Sequence, residues 1–175
     1  MASSINEYQT GELVLIALGA NLPSDYGEPR QTCTAALDVL RDIGVLLVRQ
    51  SSWYESAPVP AANQPWFINA VAAVETTLDA PGLLAALHAV ENRFGRTREA
   101  HWAARTLDLD LLDYRGQLRD GSPAPELPHP RMDQRAFVLM PLADVAPGWR
   151  HPRHGRTVEQ LIDDLDPGQV TRPIA

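Results

Sequence analysis

Apolar residues along this chain fall into two rhythms, one of period two and one of period three to four, and the changes between them outline the elements. Leu13 to Leu18 (LVLIAL) is an unbroken apolar run ended by Gly19, as expected of a central strand, and the turn formers of Asn21 to Pro29 mark the loop after it. Gln31 to Leu40 changes to helical spacing. Val45 to Tyr54 reads as a strand, Glu55 to Pro65 holds three prolines and should be irregular, and Phe67 to Thr77 reads as a second long strand. Pro81 to Arg93 opens with proline at a helix start and repeats apolar residues at Leu84, Leu87 and Val90. His88 on that helix is expected to pack or face water. Thr106 to Tyr114 alternates, with Asp108 and Asp110 on one side and Leu107, Leu109 and Leu111 on the other. A turn-rich stretch to Pro130, a short helical segment near Met132 and the apolar Phe137 to Leu142 follow. Thr157 to Leu165 has the threonine cap and spacing of a closing helix. Strands outnumber crossover helices, which predicts an α+β sandwich with a largely antiparallel sheet covered by helices, not a doubly wound sheet.

The 175 residues suffice for one domain, expected over 13–165, with a polar extension over 1–12 and a tail over 166–175. Uncharged stretches such as Ser56 to Val74 are broken by Pro, Asn and Gln, so no membrane span is expected, and the N-terminus has neither the basic nor the apolar region of a signal peptide. The expected compartment is the reducing cytoplasm. Cys33 is the only cysteine, which excludes an internal disulfide and a cysteine-based zinc cluster. All 15 basic residues are arginine. Without lysine, the chain cannot form a P-loop, the strand lysine of a protein kinase or a Schiff base. Phosphate would have to be handled by guanidinium groups, backbone and metal. A net charge of −7 argues against a broad nucleic-acid surface.

Candidate chemistry concentrates between Gly95 and Asp110, GRTREAHWAARTLDLD. On a strand the carboxylates of Asp108 and Asp110 share a face with Cα atoms roughly 6.5 to 7 Å apart, close enough to repel unless a cation stands between them. Two carboxylates with the remaining positions left to water and phosphate oxygens describe a Mg²⁺ site suited to a nucleotide. Arg93, Arg96, Arg98 and Arg105 stand against a single Glu99, a local basic excess in an acidic chain. The same alternation of Asp and Leu also describes a half-exposed strand whose carboxylates sit in water. The adjacency of acids and arginines is what favours gripping a metal-bound polyphosphate. Taken singly, Phe67 and Phe137 read as core residues, and Asn69 in a strand as a side chain that satisfies backbone. His151 and His154 have metal-like spacing but sit in a Pro/Arg-rich segment and are expected to be exposed.

Six blocks in order, ALGANL at 17–22, SSWYESAPV at 51–59, QPWFINAV at 64–71, GRTR, WAARTLDLDLL and PHPRMDQRAFVLMPL at 128–142, make the chain resemble the 6-hydroxymethyl-7,8-dihydropterin pyrophosphokinases. The resemblance runs from Leu13 to about Pro147 and implies a ferredoxin-like sandwich, acting as a monomer, that moves a diphosphate from ATP to a pterin alcohol in folate synthesis. It implies two Mg²⁺ ions on Asp108 and Asp110, and catalytic arginines at Arg96 and Arg105. Contacts to the nucleotide would come from Arg96, Arg98, Trp102, Arg105, Leu111, His129 and Arg135. The pterin would meet Phe67, Phe137 and Asn69, aided by Ser56, Ala57 and Val59. Departures from the family pattern are Ala103 and Ala104 in place of Gly-Pro, an arginine loop one residue shorter than in some members, Ala20 for a frequent Ser, and Pro60 for a Gly. Two rivals are a binding protein without catalysis and a metal-dependent phosphohydrolase. The complete set of acids and arginines weighs against the first, the aromatic pair against the second.

Overall fold

The unbroken apolar run becomes the inside of a sheet. The computed structural model describes residues 11–95 and 105–175. Strand β1 (Val14–Ala20) lies between β4 (Phe67–Glu75) and β5 (Asp108–Tyr114), antiparallel to both. Along its far edge β4 pairs with β2 (Leu46–Gln50) and then β3 (Trp53–Ser56), and β3 in turn pairs with β8 (Thr171–Ile174). A two-stranded ribbon, β6 (Arg119–Asp120) with β7 (Glu126–Leu127), lies apart.

Helices cover both faces, and strand alternation decides what meets them. On one face Ile16, Leu18, Ala70, Ala72, Leu109 and Leu111 form a buried cluster with α1 (Pro29–Asp42) and α2 (Ala80–Arg93). On the other, Leu15, Val71, Ala73 and Leu112 pack with α3 (Ala136–Val145), α4 (Val158–Asp163) and Trp149. Helix starts follow local chemistry. Asp79 accepts from Gly82 N at 2.8 Å ahead of α2, and Thr157 and Gln160 form a reciprocal capping box at α4, as the sequence predicts.

The architecture is the expected α+β fold, with several differences in detail. The strand expected over Val45 to Tyr54 is two strands. At the break Ser51 takes both bonds of Val71: its backbone N donates to Val71 O at 2.9 Å and its hydroxyl accepts from Val71 N at 3.0 Å, so a side chain replaces one ladder carbonyl. Helix α2 buries Leu83, Leu87 and Val90, with Leu83 in the place expected for Leu84. The segment expected as a tail over 166–175 supplies β8, which occupies an edge of β3 that would otherwise present unpaired backbone groups. In β5, Leu112 is one residue more than the β1 partner strand matches, because Leu15 pairs with Asp113 and Ile16 with Leu111. Across this bulge Leu112 and Asp113 both face the α3 side, where Trp149 Nε1 donates to Asp113 at 2.9 Å, and Tyr114 returns to the α2 side.

Candidate active site

Sheet register assembles the site before any side chain is considered. Asn69, Gly19 and Asp108 stand in one row across β4, β1 and β5, and Val71, Ala17 and Asp110 in a second row on the same face. The outer strands of such a row are roughly 10 Å apart, so an amide and an acid are held at the two ends of a span the size of a small ligand. Gly19 between them leaves the amide room. A Cβ there would stand 3.3 Å from Asn69 Oδ1, so glycine lets the amide lie along the sheet.

A cavity of about 280 Å³ opens over these rows. Ser56, Ala57, Val59, Phe67, Asn69 and Phe137 line one part of it, and Arg105, Asp108, Asp110, His129 and Arg135 another. Eleven of the residues expected from the sequence are thus brought to one cavity. Leu111 is not among them: it is buried on the opposite face in the cluster under α2, as alternation from Asp110 requires. Arg96, Arg98 and Trp102 lie outside the described residues.

Asn69 is buried and donates from Nδ2 to Ser56 Oγ at 2.7 Å, which fixes the plane of the amide. At the other end, Arg105 donates to Asp108 Oδ2 at 2.5 Å. A guanidinium therefore already offsets one member of the acid pair. Arg105 is itself pinned by Asn21: its N donates to Asn21 Oδ1 at 2.7 Å, and its carbonyl accepts from Asn21 N at 3.0 Å. Asn21 Nδ2 donates in turn to Gln64 Oε1 and Pro65 O at 3.1 and 2.9 Å, tying the arginine to the loop ahead of Phe67. Buried Glu91 accepts from Leu109 N at 2.7 Å, holding the backbone between the two acids.

His129 is pushed down to about 4 by burial, then by the neighbouring Arg135 and Arg131, with Asp108 opposing. The imidazole is neutral near pH 7. Its Nδ1 accepts from Arg131 N at 3.3 Å, so the proton sits on Nε2 and the ring can donate without bringing charge. Arg135 is shifted down by burial and by Arg131, while Asp110 and Asp108 act the other way, and its guanidinium stands 5.5 Å from the Phe137 ring centroid.

Arg131, Gln64, Asn21 and Glu91 had no role in the sequence reading. Arg131 could have been found from its place two residues after His129, and Glu91 from being a carboxylate on the apolar stripe of Leu83 and Leu87. Of the two histidines expected to be exposed, His154 is and His151 is not, which is a correction. His151 is 4 % exposed, its ring stacked on His154 at 3.8 Å and 3° and set edge-on to Trp149, because the segment after α3 folds back into the second core. With Asp133 these histidines bring three possible ligand atoms within 4.8 Å of one another. Two parallel stacked rings do not aim their lone pairs at one point, and each Nδ1 accepts a backbone N–H, from Arg153 at 3.3 Å and from Arg156 at 3.4 Å. That arrangement packs His151 against the core with the exposed His154 stacked over it, and does not aim the two rings at an ion.

Paired carboxylates and three arginines share one cavity with a buried amide and two phenylalanines on an antiparallel sheet, a donor set that suits a polyphosphate beside a flat ligand. The chain belongs to the 7,8-dihydro-6-hydroxymethylpterin-pyrophosphokinase family, whose profile matches residues 15–147. A 2-amino-4-hydroxy-6-hydroxymethyldihydropteridine pyrophosphokinase of Pseudomonas aeruginosa is 46% identical over 150 residues, 85% of this chain and 89% of the relative. One of Methylorubrum extorquens is 35% identical over 90% of this chain and 96% of its own length. Among solved structures, the HPPK-DHPS protein of Plasmodium falciparum with pteroate superposes with a TM-score of 0.68 over 86% of this chain. At 12% identity it speaks for the fold alone, and this chain spans 44% of its length.

Proposed function

We propose that this protein transfers diphosphate from ATP to the hydroxymethyl group of 6-hydroxymethyl-7,8-dihydropterin, releasing AMP, in folate biosynthesis. The observation that carries the reading is the single cavity in which Asn69, lining it with Phe67 and Phe137, lies across Gly19 from Asp108. The pterin stacks between the two rings with its edge on Asn69, and its hydroxymethyl oxygen is thereby directed at the β-phosphorus of ATP. The O–P bond forms as the bond from that phosphorus to the α-phosphate oxygen breaks, the hydroxyl proton passes to solvent, and AMP leaves.

Little covalent work falls to side chains in such a transfer; positioning and charge stabilisation account for most of the rate. Asp108 and Asp110 offer hard oxygen donors on one half-buried face, and would hold up to two Mg²⁺ ions, which supply neutralisation of the phosphate charge when bound. Arg105, Arg131 and Arg135 distribute positive charge around the same opening. Neutral His129 donates from Nε2. Arg96, Arg98 and Trp102 complete the nucleotide side in this reading. The protein is read as a monomer of the cytoplasm that does not use nucleic acid as a partner. Among the described residues no helix is long and apolar enough to cross a membrane.

The test is AMP formation from ATP with and without the pterin alcohol. Release of AMP matched by phosphorylated pterin is expected. ATP breakdown independent of pterin would make the protein a hydrolase, and binding of both ligands with no turnover would leave only a binding protein.

A further inference from the structure

We propose that the segment after α4, and Gln169 in particular, is a positioning element that sets the width of the pterin slot. The inference rests on the reading of that slot given above. Helix α3 starts without a side-chain cap of its own: Arg135, at the capping position, makes no such bond. The backbone N of Ala136, one residue before Phe137, donates instead to Gln169 Oε1 at 2.9 Å, across 33 residues of sequence. Gln169 Nε2 donates to Gln134 O at 2.9 Å, so one amide grips the chain on both sides of the turn that delivers Phe137. The next residue holds the opposite wall. Val170 O accepts from Ala57 N at 3.1 Å, where β3 passes into the slot loop.

Two walls of one slot are therefore hung from adjacent residues, whose Cα atoms are held about 3.8 Å apart by a trans peptide. β8 extends the grip. Thr171 pairs with Ser56, which orients Asn69, and Arg172 both binds Glu55 at 2.5 Å and lies 5.1 Å from the ring of Trp66, the neighbour of Phe67. A strand that only covered a sheet edge would have no need to cap a helix on another layer. The register Gln169–Val170 fixes Phe137 relative to Ala57, since the bonds of these two residues go to the turn before α3 and to the end of β3.

Calorimetry on the full chain tests this, measuring the pterin alcohol and, separately, a non-hydrolysable ATP analogue with Mg²⁺, well below each variant's Tm. Gln169→Ala should raise the pterin Kd about tenfold, the order expected when one half-buried and one exposed hydrogen bond are lost together, and leave the analogue Kd within about twofold. Gln169→Glu keeps the acceptor for Ala136 but turns an oxygen toward Gln134 O, and should raise the pterin Kd about threefold. A pterin Kd unchanged in both variants, or equal losses for both ligands, would overturn the inference, the second result meaning that the residue only supports the fold. Wild-type protein that binds no pterin would overturn the reading of the slot itself.

Discussion

The two faces of β5 differ by one residue in sequence and by almost everything in environment. Leu109 and Leu111 face α1 and α2 in a dry apolar cluster, whereas Asp108 and Asp110, alternating with them, face a cavity ringed with arginine. The contrast teaches that stability and chemistry can be written on the same strand without interfering. A carboxylate held near another costs free energy, and a leucine removed from water contributes about 2 kcal/mol; the period of two assigns them to opposite sides. Mutations on the two faces should then fail in different ways.

The sharpest break is Asp110→Ala. Diphosphate transfer should fall by about 10³ or more while thermal stability stays level or rises, because a charge needed only for the metal-bound phosphates is gone. More than about a tenth of wild-type turnover across a Mg²⁺ titration would remove the pair as the essential metal site. Arg105→Ala comes next, with kcat lower by about 10² to 10³ and a smaller change in ATP affinity. If only ATP affinity fell, Arg105 would be a ground-state anchor. Leu109→Ala, on the dry face, should invert the pattern: about 2 to 4 kcal/mol lost in denaturant unfolding, with kcat per folded molecule nearly unchanged.

Phe137→Ala should weaken pterin binding by roughly 1 to 3 kcal/mol and spare an ATP analogue, since only the flat ligand loses a stacking face. Equal losses would return Phe137 to the core.

The smallest effect separates two histidines. His129 and His151 are both held at about 4, His129 by burial and the nearby arginines, His151 by burial and by His154. An unfolded histidine takes up its proton near 6.5, so the unfolded state binds more protons between about 6.5 and 4. The neutral rings therefore support the fold fully above that window, and their contribution is lost as pH falls through it, on the order of 1 kcal/mol each. Replacing either by glutamine should flatten the acid limb of stability measured by urea titration. His129→Gln should also lower ATP use; His151→Gln should not.

Much of this was legible in the sequence, and the failures have physical causes. β1, β4 and the acid face of β5 announce themselves because their periodicity is set by burial. The break at Ser51 does not, since a hydroxyl standing in for a backbone acceptor leaves no pattern. β8 was missed because Thr171–Ile174 (TRPI) alternates weakly and includes a proline, tolerated where the strand borders the sheet. Helix α3 is apolar on nearly every side, which hides its period, and so left Phe137 without an assigned element. At the site, residues named for charge or ring shape were found, while those that act by holding others, Asn21, Glu91 and Gln169, were not. Their role exists only after distant segments meet.

The extra residue at Leu112 gives β5 two reading frames. Counted in twos from Asp108, residue 113 would enter the dry side and Tyr114 would turn out of it; the bulge resets the count, so that the acids are in phase at one end and Asp113 meets Trp149 at the other. Removing Leu112 would return β5 to plain alternation, with Leu111 still opposite Ile16 and Asp113 still opposite Leu15, so every named site residue would keep its face and only the leucine packed beside Leu15 and Val71 would be lost. An added residue between Asp108 and Leu111 is the change that would turn one acid under α2. The spacing of the acid pair is thus as strict a condition on the site as its composition, and variants should tolerate loss of Leu112 far better than an insertion beside Leu109.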